Sequence, residues 1–495
     1  MRRLAASLLG GVALLVAQEG LDSRLVDLNV VAVNSQGEPV ADLTQDDFRV
    51  TDSGKQQKIV FFRHQDSRRW EAPKLQPGEF SNRTLPNAPR ATLILFDLMN
   101  EDFSSRGVAA SQLVRNLESL ENADYVYLYL LTLDGKLDPV RALPDATTNV
   151  PAAGGKPWTR QAKPLLDQAM RAVMQVRRTD IDVAIRTQIT YQALGALAVQ
   201  LSRIPGRKNV VWITDGVPIE LGPNRSDTGD YVDFTPLLRQ MSEALDRSDV
   251  SIYPVRQVML GSPDNVDQGR SGIGSLDTLN LFAGMTGGRP DSGKDIGAAV
   301  RQAVHDVVTS YQIGYYPPDK EWDNKFHKLK IACTRKGVRL QAKTGYYAWQ
   351  EPPGAKAQSA ISSAMQTAFD AAEIGLRGTL SPAPKGGTAF HLDAHLDAKD
   401  IVLVHEGNQY NAQLRLAIVG YGPGGPPQGG PMIPLDLHYS AQDRDQALAH
   451  GIDFQQDVTL IAGAKAARFI VFDRNSNAIA SVTMPVPEVQ PSPAR

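Results

Sequence analysis

Two acidic residues stand where hydrophobic runs end. Asp97 closes Ala91-Thr92-Leu93-Ile94-Leu95-Phe96, and Asp215 follows Asn209-Val210-Val211-Trp212-Ile213-Thr214. If both runs are strands of one sheet, their carboxylates meet at the same rim. Burying like charges together costs free energy unless something positive sits between them. A divalent cation with oxygen ligands is one solution; in the other reading each Asp caps the loop or helix behind it. His391, Asp393, His395 and Asp397 recur every second residue, so on a strand all four share one face and could ligate a transition metal. Leu392, Ala394 and Leu396 alternate with them, which describes equally well a half-buried strand with a polar outer face, the reading preferred here.

Three other signals are weaker. Gly288-Arg289-Pro290-Asp291-Ser292-Gly293-Lys294-Asp295 approaches a phosphate-binding loop, but Asp295 stands where Ser or Thr must hold Mg²⁺ and would repel phosphate. Ser271 lies in Gly269-Arg270-Ser271-Gly272-Ile273, which lacks the second glycine of a nucleophile elbow. Cys333 reads as an inert core thiol, and Tyr315, Tyr316, Tyr346 and Tyr347 as packing aromatics.

The elements that would position the acids follow from periodicity. Residues 91–96, 125–131, 209–213 and 250–255 are short apolar runs of the buried, parallel-sheet kind. Between and after them, residues 105–120, 191–204, 235–245, 276–285 and 296–310 carry helical spacing. That alternation predicts βαβ units, a parallel sheet with helices on both faces, and ligands at the carboxyl ends of the strands. Residues 25–62 and 311–347 have strand grammar instead, which predicts a small β-sandwich built from both and interrupted by the α/β part. A helical piece at 360–372 precedes an all-β pattern over 389–486.

These motifs resemble the von Willebrand factor type A domain: a strand ending in Asp97, a helix opening at Thr190-Tyr191-Gln192-Ala193-Leu194, then Pro205-Gly206-Arg207-Lys208 running into Thr214-Asp215-Gly216. The flanks narrow the resemblance to the VWFA-related proteins of acidobacterial type. They are Asp42-Leu43-Thr44-Gln45-Asp46-Asp47-Phe48 with Asp52-Ser53-Gly54, Gly287-Gly288-Arg289, Tyr311-Gln312-Ile313-Gly314-Tyr315-Tyr316 and Thr344-Gly345-Tyr346-Tyr347. The resemblance spans about residues 25–348. It implies a Rossmann-like α/β domain with a metal-ion-dependent adhesion site, in which an acidic group of a protein partner completes the coordination of Mg²⁺ or Ca²⁺. Carried over, Asp97 matches the first acid, Thr190 the threonine and Asp215 the last acid. Met99 and Glu101 replace the two serines; a thioether is a poor Mg²⁺ ligand, whereas Glu101 would supply a harder oxygen. The implied set is therefore Asp97, Glu101, Thr190 and Asp215.

Composition sets the outer bounds. The chain has 495 residues, 52 Lys+Arg against 54 Asp+Glu, and 42% hydrophobic residues. Near-neutral charge argues against a nucleic-acid binder, and a single cysteine excludes an intrachain disulfide framework. Arg2-Arg3 before the apolar run Leu4–Ala17 reads as a secretory signal peptide, too short to span a bilayer. The expected division is signal peptide 1–18, β segment 22–64, linker 65–89, von Willebrand A-like domain 90–310 and β segment 311–348. A linker with a short helix (349–387), a C-terminal β-sandwich (388–486) and a disordered tail (487–495) complete it. The expected protein is an exported, non-catalytic binding protein of adhesion type, periplasmic or at the cell surface, with no membrane span after cleavage. An envelope hydrolase and a metal-free scaffold are the alternatives.

Overall fold

The computed structural model describes residues 25–66, 72–83, 91–100, 103–117, 125–143, 158–173, 182–221, 231–256, 275–290, 296–317, 322–350, 354–384, 386–423 and 426–487. The expected signal peptide, Glu101, Ser271 and residues 488–495 of the tail lie outside them. Among the described residues no helix is long and apolar enough to cross a membrane.

The chain begins with β1 (Val26–Val33), β2 (Phe48–Asp52), β3 (Lys55–Gln57) and β4 (Ile59–Asp66). Ser53 and Gly54 both have positive φ (47° and 85°), the backbone that a two-residue hairpin between β2 and β3 demands. Next comes β5 (Phe80–Ser81), inside the segment read as a free linker. It pairs with a strand near the C-terminus, and Asn82 beside it is buried.

The α/β part then alternates as its hydrophobic runs suggest. Its strands are β6 (Ala91–Asp97), β7 (Val126–Leu131), β8 (Leu137–Arg141), β9 (Lys208–Ile213), the ribbon β10 (Glu220–Leu221) and β11 (Val232–Asp233), and β12 (Val250–Val255). Its helices are α1 (Phe103–Leu117), α2 (Trp158–Val173), α3 (Val183–Leu201), α4 (Thr235–Arg247), α5 (Ser275–Thr286) and α6 (Ile296–Asp306). The five-stranded sheet runs β12-β9-β6-β7-β8. Every residue of β6, β7, β9 and β12 is buried, because helices cover both faces. Leu93 and Leu95 pack with Tyr191, Leu238 and Phe282 of α3, α4 and α5. Ile94 and Phe96 pack with Leu113, Leu166 and Val300 of α1, α2 and α6.

The sheet is mixed rather than wholly parallel. β12, β9, β6 and β7 are parallel, but β8 returns antiparallel to β7. The turn Asp134-Gly135 (Gly135 φ 80°) lets the chain reverse at once, so no crossover helix is needed.

After α6 the β pattern resumes in β13 (Thr309–Tyr315), β14 (Phe326–Cys333), β15 (Arg339–Gln341) and β16 (Gly345–Tyr347). β13 lies between β1 and β4, and β14 between β2 and β16. Two four-stranded sheets thus enclose Val30, Phe48, Val50, Tyr311 and Ile313. The helix expected over 296–310 stops at Asp306 because Thr309 already belongs to β13.

The C-terminal region holds α7 (Ala355–Gln366), β17 (Leu376–Pro382), β18 (Ala389–Leu396), β19 (Val404–Glu406), β20 (Gln409–Tyr421), β21 (Gln428–Gly429), β22 (Ile433–Tyr439), α8 (Ala441–His450), β23 (Ile452–Thr459), β24 (Ala466–Asp473) and β25 (Ile479–Pro485). One sheet runs β23-β18-β17-β5 and the other is built on β20, β24 and β25. Leu376, Leu392, Leu416 and Phe469 share the core between them. This sandwich starts at β17, before residue 388, and borrows β5 from the far side of the chain. α8 breaks the expected all-β pattern: Ser440 accepts the Asp443 amide at its start, and Gly451 (φ 76°) ends it.

Candidate functional site

Asp97 is the last residue of β6 and is fully buried at the carboxyl end of the mixed sheet. Its Oδ1 accepts the Asn100 backbone N–H at 3.0 Å, a local side-chain-to-backbone bond that tightens the loop after β6. Its Oδ2 accepts three donors: Asn100 Nδ2 at 2.8 Å, Thr214 Oγ1 at 2.9 Å and Trp212 Nε1 at 3.1 Å. Trp212 lies in β9 and Thr214 just beyond it, so the carboxylate ties the ends of two adjacent strands together. Burial pushes the Asp97 carboxyl above the ordinary range, and the donors from Asn100, Thr214 and Trp212 oppose that push.

Thr190 does not open its helix. Asp182 caps α3 by accepting the Ile185 amide at 3.0 Å, so Thr190 sits two turns inside. There its hydroxyl donates to Arg186 O at 2.8 Å, the usual back-bond of a mid-helix threonine. The same oxygen accepts Asn100 Nδ2 at 2.7 Å. Arg186, also buried, donates to Asn100 Oδ1 at 3.1 Å. Asn100 therefore bridges Asp97 to Thr190 through its nitrogen and takes a cationic donor on its oxygen. Reversing the amide would set its oxygen against the carboxylate and its nitrogen against the guanidinium, so the orientation is fixed.

Asp215 turns elsewhere. It is buried, and its Oδ1 lies 3.4 Å from Nε of Arg256, which follows β12. The structure thus joins Asp97 and Thr190 through Asn100 and places Asp215 in an ion pair across the neighbouring strand end. Glu101 lies outside the described residues.

The described members of this set do not fit an Mg²⁺ or Ca²⁺ ion. Such an ion requires six or more oxygen ligands at about 2.0–2.6 Å. The point from which one would bridge Asp97 and Thr190 is held by the Asn100 amide nitrogen, a donor. Oδ2 of Asp97 already serves three donors, and Met99 is buried as an apolar side chain. Among the described residues no group of three or more His, Cys, Asp or Glu is placed to hold a metal ion.

Around this knot the rim is well packed. A Cβ on Gly135, in the β7–β8 turn, would come within 2.8 Å of Ile189 Cγ2 on α3. Tyr191 donates to Pro218 O at 3.2 Å and stacks against Phe234. Two large apolar side chains nevertheless face solvent at this end: Ile185, 54% exposed in the first turn of α3, and Tyr231, 58% exposed beside the β10–β11 ribbon.

The remaining candidates are structural in their surroundings. His391 and His395 lie on the outer face of β18, each 2.7 Å from an Asp of β23 (Asp457 and Asp453). Cys333 is a half-buried free thiol at the end of β14. Tyr315 and Tyr346 both donate to Asp52 Oδ2, at 2.9 and 3.0 Å, and Tyr347 stacks on Trp349. Two of the quoted motifs meet at the opposite end of the sheet. Arg207 donates to Gly287 O at 2.9 Å and to Tyr253 Oη at 3.1 Å, and Gly288 lies so close to β12 that a Cβ would strike Ile252 O at 1.8 Å. Sequence reasoning missed Asn100 and Trp212 as donors to Asp97 and Arg186 as the donor to Asn100; the readable signals were an Asn three residues after the acid and the Arg-x-x-x-Thr spacing of one helix face.

No family model matches the chain, and neither does any curated protein. Among solved structures the chain is similar to a pilus adhesin, SpaC from Lactobacillus rhamnosus GG in an open conformation. Identity is 10%, the match covers 91% of this chain and 57% of that one, and the TM-score is 0.28. The chain thus spans little more than half the length of that adhesin, and a score of this size does not extend to a shared fold.

Proposed function

We propose that this is an exported, non-catalytic recognition protein whose α/β part is von Willebrand A-like and docks a protein partner at the carboxyl-end rim of the mixed sheet. The observation that carries this reading is the rim itself. Loops after β6, β7 and β9 are locked to α3 by Asp97, Asn100, Thr190 and Gly135, while Ile185 and Tyr231 stay exposed on that frame. Rigid loops lose little entropy on docking, and tyrosine is among the side chains that most often anchor an interface. Asp97 is a positioning residue here. The contact with the partner falls to the outward side chains, and no metal-bridged acid is needed.

Site-specific photo-crosslinking in the exporting cell tests the proposal. A crosslinker at position 185 and one at 231 are expected to trap the same protein, and one at exposed Lys336 in the N-terminal sandwich is not. Unrelated adducts from 185 and 231, or the same adduct from 336, would remove the rim as the docking site.

A further inference from the structure

A cleft lies where the three parts of the molecule meet, at the amino-terminal end of β12. Each part contributes a carboxyl group: Asp27 from β1, Asp249 from the turn between α4 and β12, and Glu373 from the segment before β17. Asp249 holds a left-handed backbone (φ 47°), which Asp tolerates, and accepts Asn29 Nδ2 at 2.8 Å.

We propose that this seam is a proton-operated clasp, in which carboxyl protonation at Asp27 holds the N-terminal sandwich against the α/β part.

The geometry requires some such arrangement. Three acids from three parts point into one partly enclosed space, and docking brings their charges together and strips their water. Asp27 faces Gln312 of β13, whose Nε2 donates to its Oδ2 at 2.6 Å, Lys343 before β16, and Asp246 and Asp249 across the seam. Arg63 of β4 lines the same cleft. The other oxygen, Asp27 Oδ1, is sealed from solvent with no donor among the described residues. An ionised oxygen in that position costs more than a protonated carboxyl does. Lys343 is engaged by Asp246, at the end of α4. Glu373 pairs with Lys208 of β9 and faces Asp249 and Arg83. Burial raises the Asp27 carboxyl to about 7, and Asp249 adds to that push; burial raises the Glu373 carboxyl too, against the pull of Lys208.

The sign follows from linkage. Asp27 binds its proton more tightly docked than apart, so its contribution to docking is complete below the ordinary carboxylate pKa and is lost as pH rises through about 7. The seam is closed in mild acid and loosens in mild alkali.

Hydrogen exchange of the full chain, corrected for intrinsic rates, reads this directly in peptides covering residues 26–33. Between about pH 6 and about pH 8 the wild-type opening constant is expected to rise about tenfold. Asp27→Asn is expected to remove that dependence. Asp249→Asn, which keeps a residue that tolerates the left-handed backbone, is expected to reduce it, and it decides the matter if Asp27→Asn does not fold. Equal wild-type protection at both pH values, or an unchanged pH dependence in Asp27→Asn or in Asp249→Asn, would overturn the proposal.

Discussion

At the scale of single residues, Asn100 does what the sequence seemed to ask of a cation. It gives one carboxylate a neutral donor twice over, gives Thr190 a donor, and passes a positive partner, Arg186, to the edge of the cluster. Replacing it with Ala leaves Asp97, Thr190 and Arg186 short of partners in a buried site. The expected loss is about 2–4 kcal/mol of unfolding free energy in a urea titration. Trp212→Phe keeps most of the apolar volume but removes one donor from Asp97, and is expected to cost about 1–3 kcal/mol in the same titration. Asp97 was legible as a candidate because an acid at the end of an apolar strand is conspicuous. Its partners were not, since hydrogen bonds between residues 97, 190 and 212 depend on strand order and helix placement that no local pattern encodes.

At the scale of elements, uninterrupted apolar runs made the buried strands readable. Residues 91–96 were read as a strand and Ala91–Asp97 form one, and 250–255 coincide with β12. Starts and reversals were harder. The α3 reading began at Tyr191 because the apolar stripe is densest there, whereas the helix begins at Val183, capped by the side chain of Asp182. β8 was missed because its hairpin follows an Asp-Gly turn that a parallel-sheet expectation passes over. Glycine spacing carries element packing too. Gly288→Ala would drive a methyl into the β12 backbone at Ile252, and is expected to lower stability by about 3 kcal/mol or more, with the melting temperature falling accordingly.

At the scale of the whole molecule, residues 80–83, within the segment read as the linker 65–89, are a fastener. Asn82 donates to Ala371 O at 2.7 Å and Ile374 O at 2.9 Å, and accepts the Leu376 amide at 2.9 Å. Arg83 adds an ion pair to Asp400 at 2.8 Å. The segment's Arg, Pro, Asn and Ser content looks like a solvated connector, because fastening by side-chain amides to backbone groups leaves no hydrophobic period to read. Asn82→Ala is expected to cost about 2–4 kcal/mol, read as earlier unfolding of the C-terminal region in a denaturant titration followed by hydrogen exchange. The two proposals then belong to two regions of the molecule, the carboxyl-end rim and the seam at the amino-terminal end of β12. The rim depends on Asp97 being satisfied by protein groups alone, and a calorimetric titration of the full chain with Mg²⁺, Mn²⁺ and Ca²⁺ tests that most directly. The expected result is no saturable heat for any of the three ions. Stoichiometric binding of one of them, abolished by Asp97→Ala, would contradict it.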